Sequence, residues 1–335
     1  LTLLTAILVF APGARATAAP YYKDKTIRIL TSEVGSGYDT VARFVARHLA
    51  AHIEGNPTVI VQNMPGATVK IPLYLTNNVP GDSTVIALLN NAVAFAPMMG
   101  IPQANFDPTK FNWLGSPSTE TGVVLVWHTV PVNSIEDATR REVIMGVGGG
   151  ASSATFYGKL LNSVLGTKFK LVTGYSGMAS ALLAMERGET EGFPNTLWNS
   201  LRGTKPEWIA EKKVKFLLQY SRIRNPDPAL AGVPLARDVA KNAEDRQLID
   251  AAVAPFDLGR PFTMAPGVDP EHVKIMQKAF AETLVDPAFL ADAEKIGFEV
   301  EKVPRSGNDL LAIVADVYAA PQQVRDRLSQ LYKSE

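Results

Sequence analysis

The amino-acid sequence predicts an α/β protein with mainly parallel strands, divided into two domains. Short apolar, β-rich runs alternate with helix-period patterns at a spacing of roughly 25 to 35 residues, the order expected when helices connect neighbouring strands. The chain has 335 residues, about twice a common domain length. Its 46% hydrophobic content and 33 basic against 33 acidic side chains belong to a globular protein, not to a disordered or fibrous one.

The elements follow in order. Residues 27–30 read as the first strand. A helix is expected over residues 39–53, because Val41, Val45, Leu49 and Ile53 recur on one face. Strands are expected at residues 59–61, 85–89, 123–127, 143–147, 169–172 and 216–219, each near Pro, Gly or Asn turn signals. Helices are expected at residues 153–165 and 178–187. The basic stretch Arg202 to Arg224, with Glu207 and Glu211 inside it, reads as a solvated helix face. After it the chain becomes mostly helical. Asp269-Pro270-Glu271 supplies an N-cap, a first-turn proline and an early acid, and Val273, Met276, Phe280 and Leu284 form the apolar stripe. Asp286-Pro287 opens another helix, and Ser306-x-x-Asp309 reads as a capping box for a third. No internal repeat or low-complexity tract is evident.

Composition narrows the chemistry. With no cysteine, disulfides, thiol nucleophiles, Cys-zinc sites and iron–sulfur clusters are excluded. Balanced charge argues against nucleic acid, which needs a basic excess. The first eleven residues, LTLLTAILVFA, followed by Pro12-Gly13 and a run of small residues, have the order of a signal-peptide apolar region and cleavage zone, so residues 1–20 are expected to be removed on secretion. The run is about half a bilayer span. It lacks a basic leading region, so Leu1 reads as a truncated or misassigned start.

Two segments share a strand, a Gly/Ser turn and a helix start: Ile29 to Asp39, and Ile144 to Ser153. Ligands of α/β sheets bind outside the strands' carboxyl ends. There a helix N-terminus offers unpaired amides and a partial positive charge, and glycine lets a ligand approach the backbone. Two such turns suit a small molecule with carboxylates held across a cleft; the alternative is a pair of ordinary tight turns. Dinucleotide binding is disfavoured because Gly35-x-Gly37 is followed by Thr40 and Gly148-x-Gly150 by Ser153, where the fingerprint needs glycine; a P-loop is absent too. Gly174-Tyr175-Ser176-Gly177-Met178 departs from a nucleophile elbow by one position. The competing enzyme reading is a secreted α/β hydrolase using Ser176, with His272 as its base. His48 and His52 stand at i and i+4, without the intervening glutamate of a zinc protease, and read as surface or interface residues; His128 reads as structural. Glu186, Glu189 and Glu191 read as a helix end and exposed turn. No metal or cofactor is expected.

Lys25 to Leu30, Gly35-Ser36-Gly37-Tyr38-Asp39, Ala42-Arg43, Val59 to Ala67, Gly174 to Gly177 and Ala184 to Glu189 closely resemble the Bug family, periplasmic receptors of bacterial tripartite tricarboxylate transporters. The Asn63-x-Pro65-Gly66-Ala67 segment is the most specific part. The resemblance implies a two-lobed periplasmic binding protein fold of type II-like form, with residues 21–121 and 254–335 in lobe 1 and 122–253 in lobe 2. It implies a small carboxylate ligand, delivery to membrane permease subunits, and a monomer. Carried over, the ligand contacts would be Gly35, Ser36, Gly37, Asp39, Gly66, Ala67, Asn90 and Asn91 in lobe 1. In lobe 2 they would be Gly150, Ala151, Ser152, Ser153, Tyr175, Gly177 and Asn195. Two departures bear on the ligand. Ser32-Glu33 stands where the family has Pro-Phe, placing an acid near the anion site, and Lys70, the one base near the expected contacts, either reinforces carboxylate binding or is simply exposed.

Overall fold

The computed structural model describes residues 20–32, 34–64, 67–98, 100–101, 103–149 and 152–333, with the backbone alone at 67, 68, 93 and 94. Residues 1–19 of the expected signal peptide, Glu33, Gly66, Gly150 and Ala151 lie outside the described residues.

In chain order the first half comprises β1 (Thr26–Thr31), α1 (Gly37–Leu49), β2 (Thr58–Asn63), α2 (Ala67–Asn77), β3 (Val85–Leu88) and β4 (Asn112–Ser116). Then come β5 (Gly122–Trp127), β6 (Glu142–Gly146), α3 (Ser153–Leu165), β7 (Lys168–Val172), α4 (Met178–Glu186) and β8 (Gly192–Leu197). After α5 (Trp198–Thr204), α6 (Pro206–Ala210) and β9 (Val214–Tyr220), the chain runs through α7 (Ala243–Leu258) to β10 (Phe262–Met264). It finishes with α8 (Pro270–Val285), α9 (Pro287–Lys295), β11 (Arg305–Ser306), α10 (Gly307–Tyr318) and α11 (Gln322–Lys333).

The strands form two sheets, ordered β11-β4-β10-β3-β1-β2 and β7-β6-β8-β5-β9. The pairs β1–β2, β1–β3, β6–β7 and β6–β8 are parallel. Around β10 and β5 the pairing is antiparallel. The expectation of mainly parallel strands is therefore corrected to mixed sheets. An apolar run records that both faces of a strand are covered, not its direction. The return strand β10 enters between β3 and β4, a placement that depends on chain path.

Local signals act as expected in the helices. Val41, Val45 and Leu49 of α1 are buried together with Ile53, although α1 ends at Leu49 and a 3-10 turn, Ala50–His52, completes the run. Asp269 caps α8 by accepting from the Glu271 amide, Asp286 caps α9 through Ala288, and both halves of the Ser306/Asp309 capping box are formed. His48 and His52 lie 3.3 Å from Asp292 and 2.9 Å from Asp286, joining α1 and the 3-10 turn after it to α9 and its cap. The basic stretch from Arg202 to Arg224 is not one helix face: it runs through α5, α6 and β9, and its sheet strand Val214–Tyr220 is largely buried.

Two chain segments run side by side between the sheets. The Glu120 amide donates to the Phe256 carbonyl, and the Arg260 amide donates to Ser116 Oγ at 2.9 Å. Gly259 has φ +59, and a Cβ there would lie 1.7 Å from the Ser118 carbonyl oxygen. Only glycine permits that approach. Among the described residues no helix is long and apolar enough to cross a membrane.

Candidate functional site: a cleft between two sheets

The turn from β1 into α1 is held by a network of side chains. Gly35, at φ +78, lets the chain reverse so that its amide donates to Asp39 Oδ2 at 2.9 Å. Ser36 is the N-cap and its hydroxyl accepts from the Asp39 amide at 3.1 Å. Asn63, at the end of β2, donates to the Ser32 carbonyl and to Asp39 Oδ1, both at 2.7 Å, and Arg43 Nε donates to Asp39 Oδ2 at 3.1 Å. Burial raises the Asp39 pKa, but the bonds from Asn63, Gly35 and Arg43 outweigh it, so its carboxyl sits below the usual range. Asp39 and Gly35 thus spend their polar groups on each other. Gly37, the first residue of α1, is exposed.

The second turn repeats the cap. Ser152 accepts from the Thr155 amide at 3.2 Å, and the Thr155 hydroxyl donates to the Gly149 carbonyl at 3.0 Å. A third helix start faces the same space: Gly177 caps α4, donating its amide to Ser180 Oγ at 3.2 Å. Tyr175 is half-buried, its ring edge close to Gly146.

Between the sheets lies a cavity of about 330 Å³, at the small end of ligand sites. Asn90, Asn91, Ser152, Ser153, Gly177 and Asn195 line it with Tyr38, Tyr157, Phe193 and Phe256. The structure thus brings six of the expected contacts to one cavity. Gly35, Ser36, Gly37, Asp39 and Tyr175 are not among its lining residues, the side chain of Ala67 lies outside the described ones, and Lys70 is an exposed residue of α2. Among the described residues the lining has no charged side chain. The Asn91 amide donates to the Tyr38 hydroxyl at 3.4 Å. Asn195 is 7% exposed, and its side-chain oxygen has no partner among the described residues.

Sequence reasoning missed Tyr38, Phe256 and Arg260. The Arg260 guanidinium stacks 4.5 Å from the Tyr38 ring centre, and its Nε donates to Glu120 Oε1 at 3.0 Å. Burial raises the Glu120 pKa, opposed by Arg260, and the net direction is upward. Tyr38 was readable from the Gly-x-Gly-Tyr turn. Nothing local marks Arg260, whose partner is 140 positions away.

The hydrolase constellation does not assemble. The Ser176 hydroxyl donates to Ser180, while His272 Nδ1 is 2.8 Å from the Ser83 hydroxyl and its ring stacks on Tyr21. Glu191 is not in an exposed turn: it pairs with Arg141 and accepts from the Ile144 amide at 2.9 Å.

No protein-family model and no curated protein matches the sequence. Solved structures do match the fold. A TctC solute-binding protein from Polaromonas superposes with a TM-score of 0.70 at 18% identity, over 91% of this chain and 99% of that one. MatC from Rhodopseudomonas palustris, with bound malate, gives 0.60 at 18%, over 92% and 99%. The periplasmic binding protein BugD gives 0.60 at 19%, over 93% and 98%. The chain has the two-lobed α/β fold of the TctC and Bug binding proteins, in agreement with the resemblance seen in its sequence.

Proposed function

We propose that the chain is a periplasmic solute-binding receptor of the Bug type that closes two lobes around a small carboxylate and delivers it to a tripartite tricarboxylate-type membrane transporter. One observation carries the reading: the starts of α3 and α4, Tyr38 from the first turn of α1 and a set of amide and hydroxyl side chains meet at a small cavity whose described lining has no charge. Such a site binds an anion through oriented dipoles and has no nucleophile–base pair for chemistry. Its similarity in fold to MatC, whose structure holds bound malate, supports a carboxylate. In this reading residues 21–121 and 254–335 form lobe 1 and 122–253 form lobe 2. Secretion removes the leading segment, the receptor is a monomer, and its partners are the permease subunits.

Thermal shift of ligand-stripped protein against mono-, di- and tricarboxylates tests the reading. A ligand at 100 times its Kd should add about 2.7 kcal/mol, read as a rise in Tm. Absence of a shift across the whole panel overturns it. Turnover of ester substrates that disappears in Ser176→Ala would favour the enzyme instead.

A further inference from the structure

The uncharged cavity has a cation beside it. Arg260 is buried to all but 12% of its side chain, and Glu120 to all but 3%. A buried arginine–carboxylate pair that served only to hold the fold would favour two parallel hydrogen bonds, so that neither group is left unsatisfied. This pair makes one, from Nε to Oε1. Glu120 Oε2 is buried without a partner among the described residues. The two terminal nitrogens of Arg260 have no acceptor among the described residues. They face α1 instead: a Cβ on Gly37 would lie 3.4 Å from one and 3.8 Å from the other. The guanidinium plane is held from a second side by Tyr38, whose ring also lines the cavity. The open edge of the fork therefore stands at the first turn of α1, where the helix presents its own unpaired amides.

We propose, resting on the receptor reading above, that Arg260 is the carboxylate-recognition residue of lobe 1: its terminal nitrogens and the first turn of α1 together take one carboxylate of the ligand, while Glu120 and Tyr38 fix the guanidinium. The residue sets specificity for a carboxylate over the isosteric carboxamide. An amide would turn two hydrogens toward a group that can only donate, and a site built around charged hydrogen bonds rejects an analogue that cannot complete them. The rest of the ligand lies in the uncharged cavity against Ser152, Gly177 and Asn195.

Calorimetric titration with succinate, malate and adipate, and with succinamic and adipamic acids, tests this on the intact protein. The wild type should bind at least one diacid, and that diacid more tightly than its monoamide. Arg260→Gln should weaken the bound diacid by roughly 10- to 100-fold, the loss of a charged hydrogen-bonded contact, and remove the preference over the monoamide. Arg260→Lys, which keeps the charge without the fork, should recover part of the loss. Glu120→Gln separates recognition from mere bracing. It leaves the fork in place and removes the competing negative charge, so diacid affinity should hold or rise. If both Glu120→Gln and Arg260→Gln lose binding alike, the pair is a brace and the proposal fails. If the wild type binds a diacid and Arg260→Gln binds it equally well, Arg260 is not in the site although the receptor reading stands. If the wild type binds none of these acids, the recognition proposal falls, and the receptor reading is decided separately by the wider carboxylate panel.

Discussion

At Asp39 a single carboxylate meets three donors: the Gly35 amide, the Asn63 amide group and Arg43. Its pKa is depressed in the fold, so its ionised form stabilises the native state. The sign follows directly. That contribution is complete above the ordinary aspartate value of about 3.9 and is lost as pH falls through the lower native value. Asp39→Asn should lower Tm at neutral pH, with about 1 kcal/mol or more lost because an amide hydrogen is turned toward existing donors. It should also flatten the fall in stability below about pH 4. Thermal melts from pH 7 to pH 3 check both, and unchanged melts would remove Asp39 from the turn's support. Much of this was legible: the Gly-x-Gly turn, the Ser36 cap and the acid at Asp39 are local signals with local causes. What was not legible is the use to which Asp39 is put. The resemblance made it a ligand contact, and the structure shows its oxygens occupied by Asn63 and Arg43. Arg260 was invisible for a related reason. Its meaning comes from Glu120 and Tyr38, and no pattern in the chain announces a pairing made by folding.

At the scale of elements, the helix starts carry both structure and proposed binding, and the two roles can be separated at α3. Ser152 stabilises the helix by accepting from Thr155, and it lines the cavity. Aspartate is as good an N-cap as serine and interacts favourably with the helix dipole. Ser152→Asp should therefore leave the Tm of the ligand-free protein within about 1 °C, or raise it. It should abolish carboxylate-induced stabilisation, because a fixed negative charge then occupies the ground the ligand's carboxylate needs. Thermal shift with and without malate reads both effects, and retained stabilisation would take α3 out of the site. Helix periodicity made α1 and α8 legible, since each buries one stripe. Strand direction was not, as β5 and β10 show. Their residues are buried on both faces in either orientation, so composition cannot distinguish a parallel neighbour from an antiparallel one.

At the scale of the whole molecule, the two sheets are joined where the segments around Ser118 and Gly259 cross side by side from one sheet to the other. The backbones approach too closely for a side chain at residue 259, where a Cβ would sit 1.7 Å from a carbonyl oxygen. The same crossing positions Arg260 through the hydrogen bond that its backbone amide donates to Ser116 Oγ, so the close approach and the proposed anion contact are consecutive in the chain. A comparison of two glycines isolates this effect. Gly188 also has positive φ, +76, but nothing within 4 Å of its would-be Cβ. Gly188→Ala should lose only the conformational term, about 1 to 2 kcal/mol. Gly259→Ala must in addition push two backbones apart, a defect of the class that costs more than about 4 kcal/mol. Calorimetric melts of the two variants should therefore differ several-fold in lost stability. Gly259→Ala should also lose diacid affinity, because moving the crossing displaces the guanidinium from Gly37. Equal losses in the two variants would mean that the crossing yields easily and that the lobes are not held at this point. A large loss of stability with diacid affinity intact would instead separate the crossing from the site, and leave Arg260 anchored by Glu120 and Tyr38 alone.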